Sequence, residues 1–323
     1  MTGFASAEPP ELVVDARATL GEGPVWDADR GLLWWVDILG GLVHVFDPAT
    51  GLDEAIEIGQ AVGAVALRQD GGLLVLGQDA ILGLDPETRS LRPMFAFARE
   101  DPPRRTNDGK PDPAGRLWLD RMPFDHAAGM GSLRRLGRDL RLEAVLTGLT
   151  VPNGLAWSPD GTIMYFTESF SREVTAYDFD AETGGISAGR PLIRIGSGVG
   201  LPDAAVPDGL TVDAESSVWI AVWNGGCVIR VSPEGAIQAR FDLPVSQVSS
   251  AAFGGRDLGD LYVTSAREGF DDADAAREPI AGGLFRASSN CAPCSADTLP
   301  AFTISRISTA SPSISISSSI ASL

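Results

Sequence analysis

Oxygen-bearing side chains recur at matched places along the chain. VPNGLAWSPDG, beginning at Val151, and VPDGLTVDAES, beginning at Val206, share one plan and differ in the group presented, Asn153 in the first and Asp208 in the second. LGEGPVW presents Glu22, and RTNDGKPD presents Asn107 and Asp108. A carboxylate ring with amide oxygens suits a hard divalent cation such as Ca²⁺, Mg²⁺ or Mn²⁺, whereas softer sites use thiolates. One amide and two carboxylates would hold the ion near zero net charge and leave positions for water and substrate. Taken singly, Pro-Asn-Gly and Pro-Asp-Gly are ordinary turn signals. Turn chemistry does not require the oxygens to converge, so their equivalent placement in separate repeats favours a site.

Convergence requires a scaffold that brings distant segments to one point, and the sequence repeats one plan six times. GPVWDADRGLLWWVD, AVALRQDGGLLVLG, GKPDPAGRLWLDRM, GLAWSPDGTIMYFTE, GLTVDAESSVWIAV and SAAFGGRDLGDLYVTS each hold a short apolar run, a turn rich in Asp, Pro or Gly, and a β-rich run. The turns recur roughly every 40 to 55 residues, which suits four-stranded propeller blades. Between them VHVFDPATG, ILGLDPETR, VTAYDFDAETG and VIRVSPEG alternate as strands do. No helical period is sustained. The expectation is an all-β, six-bladed β-propeller with a central divalent metal site, whose innermost strands aim equivalent positions into one channel. A β-sandwich would not need the periodic turn. ELVVDARA, near the start, is suited to close the last blade against LYVTSA and GGLFRAS.

Composition narrows the partners. The 323 residues carry 44% hydrophobic and 7% aromatic content, enough for one large β domain. A formal net charge of −18 excludes nucleic acid and anionic membrane surfaces as main partners. The start has no basic region followed by a long apolar stretch, and no segment reaches membrane-span length, which implies a cytoplasmic protein. Cys227, Cys291 and Cys294 are too few for a disulfide framework, and CAPC lacks a second ligand pair. The expected organisation is a flexible N-terminus over 1–10, the propeller over 11–287 and a serine-rich low-complexity tail over 288–323, a break that a reading-frame change would also produce.

LGEGPVWD, NDGKPDPAGRLW, VPNGLAWSPDG, PDGLTVDAE, WNGG and AFGGRDLGDLYVTSAR, in this order, resemble the group of senescence marker protein, gluconolactonase and luciferin-regenerating enzyme, over about Leu20 to Phe285. The resemblance implies a six-bladed propeller with one divalent ion, the identity of which (Ca, Zn, Mn, Mg or Fe) it leaves open. It implies Glu22, Asn153 and Asp208 as metal ligands, Asp208 also as the acid/base carboxylate, and Arg105, Asn107 and Asp125 as substrate-binding residues. Asp125 follows by counting from a Gly-Thr-Met motif, and here the chain departs, with Asp120 and Arg121 in place of Gly-Thr. An Arg121 projecting into the channel would favour acidic or highly hydroxylated lactones. The family's strand after GGLF has no recognisable counterpart, which implies a poorly closed sixth blade.

The implied activity is metal-dependent opening of sugar (aldono-) lactones, with a small-molecule sugar lactone as partner. Water made nucleophilic beside the ion would attack the carbonyl, Asp208 would relay the proton to the leaving ring oxygen, and Arg105 would stabilise charge or anchor hydroxyls. No Gly-x-Ser-x-Gly is present, against a serine esterase. The alternatives are a noncatalytic calcium-binding propeller and an organophosphate-type ester hydrolase. The sequence does not fix the oligomeric state. His44 reads as a half-buried strand residue, and His126 as a loop residue that could reach the pocket but that, as loop histidines more often are, is solvated. Trp223 and Asn224 read equally as pocket lining and as a hairpin turn.

Overall fold

The computed structural model describes residues 10–288. The expected N-terminal segment, but for residue 10, and the expected tail beyond Ser288, with Cys291 and Cys294, lie outside the described residues.

Strand β1 (Glu11–Val14) comes first and belongs to the last blade. Blade one follows as β2 (Gly21–Asp27), β3 (Leu32–Asp37), β4 (Leu42–Asp47) and β5 (Leu52–Glu57), and blade two as β6 (Val62–Leu67), β7 (Leu73–Gly77), β8 (Ala80–Leu84) and β9 (Leu91–Ala96). In blade three the innermost strand is split into β10 (Arg104–Arg105) and β11 (Gly109–Pro111), both paired to β12 (Leu117–Pro123), with β13 (Gly131–Leu136) and β14 (Leu142–Leu149) outside. Blade four comprises β15 (Pro152–Trp157), β16 (Ile163–Glu168), β17 (Glu173–Asp180) and β18 (Gly185–Arg194). Blade five comprises β19 (Val206–Val212), β20 (Val218–Trp223), β21 (Cys227–Val231) and β22 (Ile237–Asp242). Blade six joins β23 (Val248–Gly254), β24 (Asp260–Ser265), β25 (Leu284–Ser288) and β1. A short helix α1 (Asp272–Arg277) lies in the loop before β25.

The innermost strands pack in a closed circuit, β2 on β6, β6 on β11, β11 on β15, β15 on β19, β19 on β23 and β23 back on β2. Blade six is complete: Leu12 pairs with Phe285, and Tyr262 with Arg286. The expectation of a poorly closed sixth blade is therefore corrected, because LFRAS supplies the third strand and ELVV the fourth.

Each blade is apolar on both faces, because successive strand residues point to opposite sides. Trp34 packs with Val65 and Leu73 towards blade two, and its neighbour Trp35 packs with Tyr262 and Leu284 towards blade six. The six apolar clusters found among the described residues each fill one gap between adjacent blades. Aspartates in the turns after the innermost strands bind the indoles: Trp118 Nε1 donates to Asp112 Oδ2 at 3.0 Å, and Trp219 Nε1 to Asp213 Oδ2 at 2.8 Å. His44 is buried, stacked on Trp35 at 4.0 Å and bonded through Nδ1 to Asp53 at 2.7 Å.

Candidate metal and active site

Asn153-Gly154 and Asp208-Gly209 do not form turns. They lie inside β15 and β19, and neither glycine has a positive φ. The glycines are required by close approach: a Cβ on Gly154 would lie 2.6 Å from the Asp208 carbonyl oxygen, and one on Gly209 would lie 2.2 Å from Ser250 Oγ. The ladder slips at the same level, between Glu22 and Val25, Pro152 and Leu155, and Pro207 and Leu210. A bulge inserts one residue and re-aims its neighbours, which here turns Glu22, Asn153 and Asp208 towards the centre of the ring.

All three are nearly inaccessible, at 3%, 4% and 5% exposure respectively. Asn153 Nδ2 donates to Asp208 Oδ1 and, at 3.2 Å, to Ser169 Oγ; Asn153 Oδ1 accepts from Gly154 N at 3.0 Å. Glu22 Oε2 accepts from Gly23 N at 2.9 Å. Burial pushes the Glu22 carboxyl well above its usual range, and repulsion from Asp208 and Asp108 adds to this. Asp208 is likewise pushed well up, first by burial, against the Asn153 hydrogen bond and with repulsion from Asp108 and Glu268.

Blade three supplies the cationic side. Arg105 is buried, and Nη1 donates to Asn107 Oδ1 and to the Thr106 carbonyl. Asn107 Nδ2 donates to the Pro152 carbonyl at 3.1 Å, tying blade three to blade four. Deeper in the channel Lys110 Nζ donates to the Leu210 carbonyl at 3.2 Å. Burial lowers the Lys110 pKa and raises that of Asp108, and their mutual attraction opposes both shifts.

Among the described residues no three His, Cys, Asp or Glu side chains are grouped so as to hold a metal ion. The central set is instead two carboxylates and an amide, and its chemistry fits a hard cation. Two buried carboxylates that repel each other are relieved by a divalent charge between them. Rotation of the Asn153 amide would present its oxygen, and Ser169 Oγ can donate as well as accept, so it serves either orientation.

Asp125 and Arg121 stand outside the buried, hydrogen-bonded central set. Asp125 is exposed in the loop after β12, where Oδ1 accepts from Ala127 N at 3.2 Å. Arg121 does not project into the channel. It donates to Glu100 Oε2 at 3.0 Å and to the Gln78 carbonyl, and its guanidinium lies 4.3 Å from the centre of the Phe97 ring. The reason is strand alternation: Leu119 and Arg121 share the face turned to blade two, and the Glu100 carboxylate waits there. His126 is exposed at φ 54°, and partial burial of its ring together with the nearby Arg105 charge lowers its pKa. Asn224, at φ 56°, forms the turn after β20.

Lys110, Ser169 and Glu268 are the groups that sequence reasoning missed. The run NDGK contains Lys110, but nothing in it reports a reach to blade five. Glu268, in the loop after β24, influences Arg105, Asp208 and His126 electrostatically. Surface grooves of about 460 Å³ beside Tyr177 and about 410 Å³ beside Asn224 include none of the channel residues. Electrostatics and convergence, rather than cavity size, mark the site.

Known proteins are similar to this chain in sequence and in fold. The family model described as the SMP-30/Gluconolactonase/LRE-like region matches residues 20–267. The chain is similar to pentonolactonase XacC of Haloferax volcanii, 39% identical over 85% of this chain and 92% of that protein. It is 35% identical to regucalcin of Xenopus laevis, over 85% of this chain and 93% of the relative. The crystal structure of a calcium-binding protein, regucalcin, from Agrobacterium tumefaciens superposes with a TM-score of 0.80 at 29% identity, covering 88% of this chain and 93% of the other. Among the described residues no helix is long and apolar enough to cross a membrane.

Proposed function

The chain belongs to the SMP-30/gluconolactonase/LRE-like family, and from that premise we propose that it is a metal-dependent hydrolase that opens sugar (aldono-) lactones. The observation that carries this reading is the meeting of Glu22, Asn153 and Asp208 with the buried Arg105–Asn107 pair at one mouth of the ring. A pure ion-binding propeller needs the first three groups and has no use for the last two. The relative named pentonolactonase supports a five-carbon aldonolactone as substrate, and the gluconolactonase of the family description a six-carbon one.

Glu22, Asn153 and Asp208 would hold the ion. When bound, a divalent cation supplies Lewis acidity towards the lactone carbonyl and makes a neighbouring water more acidic. The chain's own groups do the rest. Asp208 accepts a proton from the attacking water as its oxygen bonds to the carbonyl carbon, and returns it to the ring oxygen as the acyl–oxygen bond breaks, leaving the open hydroxy acid. Arg105 offers its guanidinium to the charge that grows on the carbonyl oxygen or to a sugar hydroxyl. Asn107 orients the polyol. Asp125, in the exposed loop after β12, is proposed as an outer contact to the substrate.

The test is acid release from a panel of pentonolactones and gluconolactone, with the protein chelated and each metal returned singly, alongside metal analysis of wild type, Glu22→Gln and Asp208→Ala. The expected result is one ion per chain, lost in Asp208→Ala and diminished in Glu22→Gln, which gives up a charge but keeps an oxygen, with turnover that follows it. A chelated protein that hydrolyses lactones at the full rate, or variants with undiminished metal, would remove the ion from this role. A loaded protein inert on every lactone would favour the noncatalytic calcium-binding reading, and turnover confined to phosphotriesters the organophosphate one.

A further inference from the structure

The loop side of the ring repeats one carboxylate device. Where an innermost strand begins, a carboxylate at the end of the second strand accepts two successive backbone amides. In blade one Asp37 accepts from Thr19 N at 2.9 Å and Leu20 N at 3.0 Å. In blade four Glu168 Oε1 accepts from Thr150 N at 3.0 Å and Val151 N at 2.8 Å. Both clamps grip the chain just ahead of a proposed ligand, Glu22 or Asn153.

In blade three the same device acts on the site residues themselves. Asp120 accepts from Asn107 N at 2.7 Å and Asp108 N at 3.1 Å, and its own N–H donates to the Asp108 carbonyl at 3.0 Å. Pairing with β12 stops at Arg105 opposite Met122 and resumes at Gly109 opposite Leu119. The Asp120 carboxylate takes the place of the ladder acceptors that the split strand has lost. Two amide bonds on one carboxyl group, one to each oxygen, fix direction as well as distance. The Asn107 side chain, so held, reaches both Arg105 and the Pro152 carbonyl. A small residue, as in the family motif that this segment resembles, could not make the clamp.

We propose that Asp120 is a positioning residue, which sets Arg105 and Asn107 for the lactone through the two amides it binds; the inference rests on the lactonase reading. It acts through the segment that carries those side chains and touches no substrate itself. Arg121, one residue on, faces the gap between blades two and three and is the matched control.

The experiment uses the full chain, metal-loaded, as wild type, Asp120→Ala, Asp120→Asn and Arg121→Thr. Steady-state kinetics on gluconolactone are joined to amide hydrogen exchange of the segment 104–111 and to calorimetric binding of gluconate. Asp120→Ala is expected to raise KM about 10-fold with kcat within about 3-fold, the pattern of lost binding common to ground and transition states. Exchange at Asn107 and Asp108 should accelerate, gluconate binding should weaken about as much as KM rises, and metal content should hold. Asp120→Asn, which keeps one acceptor oxygen, should recover part of each effect. Arg121→Thr should lower thermal stability and leave KM in place. Unchanged exchange in Asp120→Ala, a loss of stability without a change in KM, or an equal KM change in Arg121→Thr would overturn the proposal. If wild type opens no lactone, the functional reading fails on its own, and exchange with gluconate binding still decides for or against Asp120.

Discussion

Lys110 and Leu210 meet across the channel, with Lys110 Nζ donating to the Leu210 carbonyl at 3.2 Å. The first belongs to the innermost strand of blade three and the second to that of blade five, so the bond spans blade four and forms a floor beneath the proposed ligands. Lys110→Met should lower stability by about 1–3 kcal/mol, the scale of a lost hydrogen bond to a charged group, because Asp108 also loses a neighbouring cation. Urea melts measure this, with metal content expected to persist. A variant as stable as wild type would show that the bond has no net worth.

Asp208→Asn keeps an oxygen ligand and an acceptor for Asn153 Nδ2, but it removes the proton acceptor. Turnover on the best lactone should fall by about 10²-fold or more, the scale of a lost general base, with the fold intact by circular dichroism. Turnover near wild type would take Asp208 out of the acid/base role.

The dependence of metal stabilisation on pH follows from Glu22 and Asp208, both shifted upward by burial. A carboxyl whose folded pKa lies above its unfolded value keeps its proton longer in the folded state. Its contribution to stability is therefore lost as pH rises from the unfolded pKa through the folded one. The chelated protein should lose this contribution above the ordinary carboxylate range. The loaded protein, whose ligands must already be deprotonated, should not. The difference in melting temperature between loaded and chelated samples should widen from pH 4.5 to pH 7, and a constant difference would contradict the assignment of both carboxylates to the ion.

Arg121→Thr should leave the ranking of lactones unchanged, since Glu100, Phe97 and the Gln78 carbonyl hold the guanidinium away from the channel. Its loss should cost about 2 kcal/mol, moderated because Arg104 and Arg134 also pair with Glu100. A reordered substrate panel would return Arg121 to the pocket.

The blades were legible because each repeats an Asp- or Gly-rich turn beside an apolar run, a local signal. ELVV, as the closing strand, was legible because a propeller must dispose of its last edge. The site was legible only as a set of matched oxygen donors. Asn153-Gly154 and Asp208-Gly209 read as turns from composition alone, since a bulge inside a strand breaks the two-residue alternation as a turn does. Nothing local distinguishes a glycine needed for curvature from one needed for contact with the next blade. Lys110 and Glu268 depend on ring closure, which sets their partners far away in sequence, whereas Ser169 and the Asp120 clamp depend on strand register within a single blade, which local composition does not report. The orientation of Arg121 depends on where β12 begins its alternation, and the motif comparison said nothing of that.

The placement of β1 in blade six has a mechanical consequence. A linear chain that built each blade from consecutive strands would have covalent links across all gaps but the last, which packing alone would seal. Here the polypeptide passes from β1 into β2 and so crosses that final gap as well. Every gap between neighbouring blades is thus bridged by main chain, and the seam of the ring moves from a packed face into the β1–β25 hydrogen-bonded pair. The four-residue β1 is thus the clasp of the circle, and the closure of the distant channel is fastened at the outer rim.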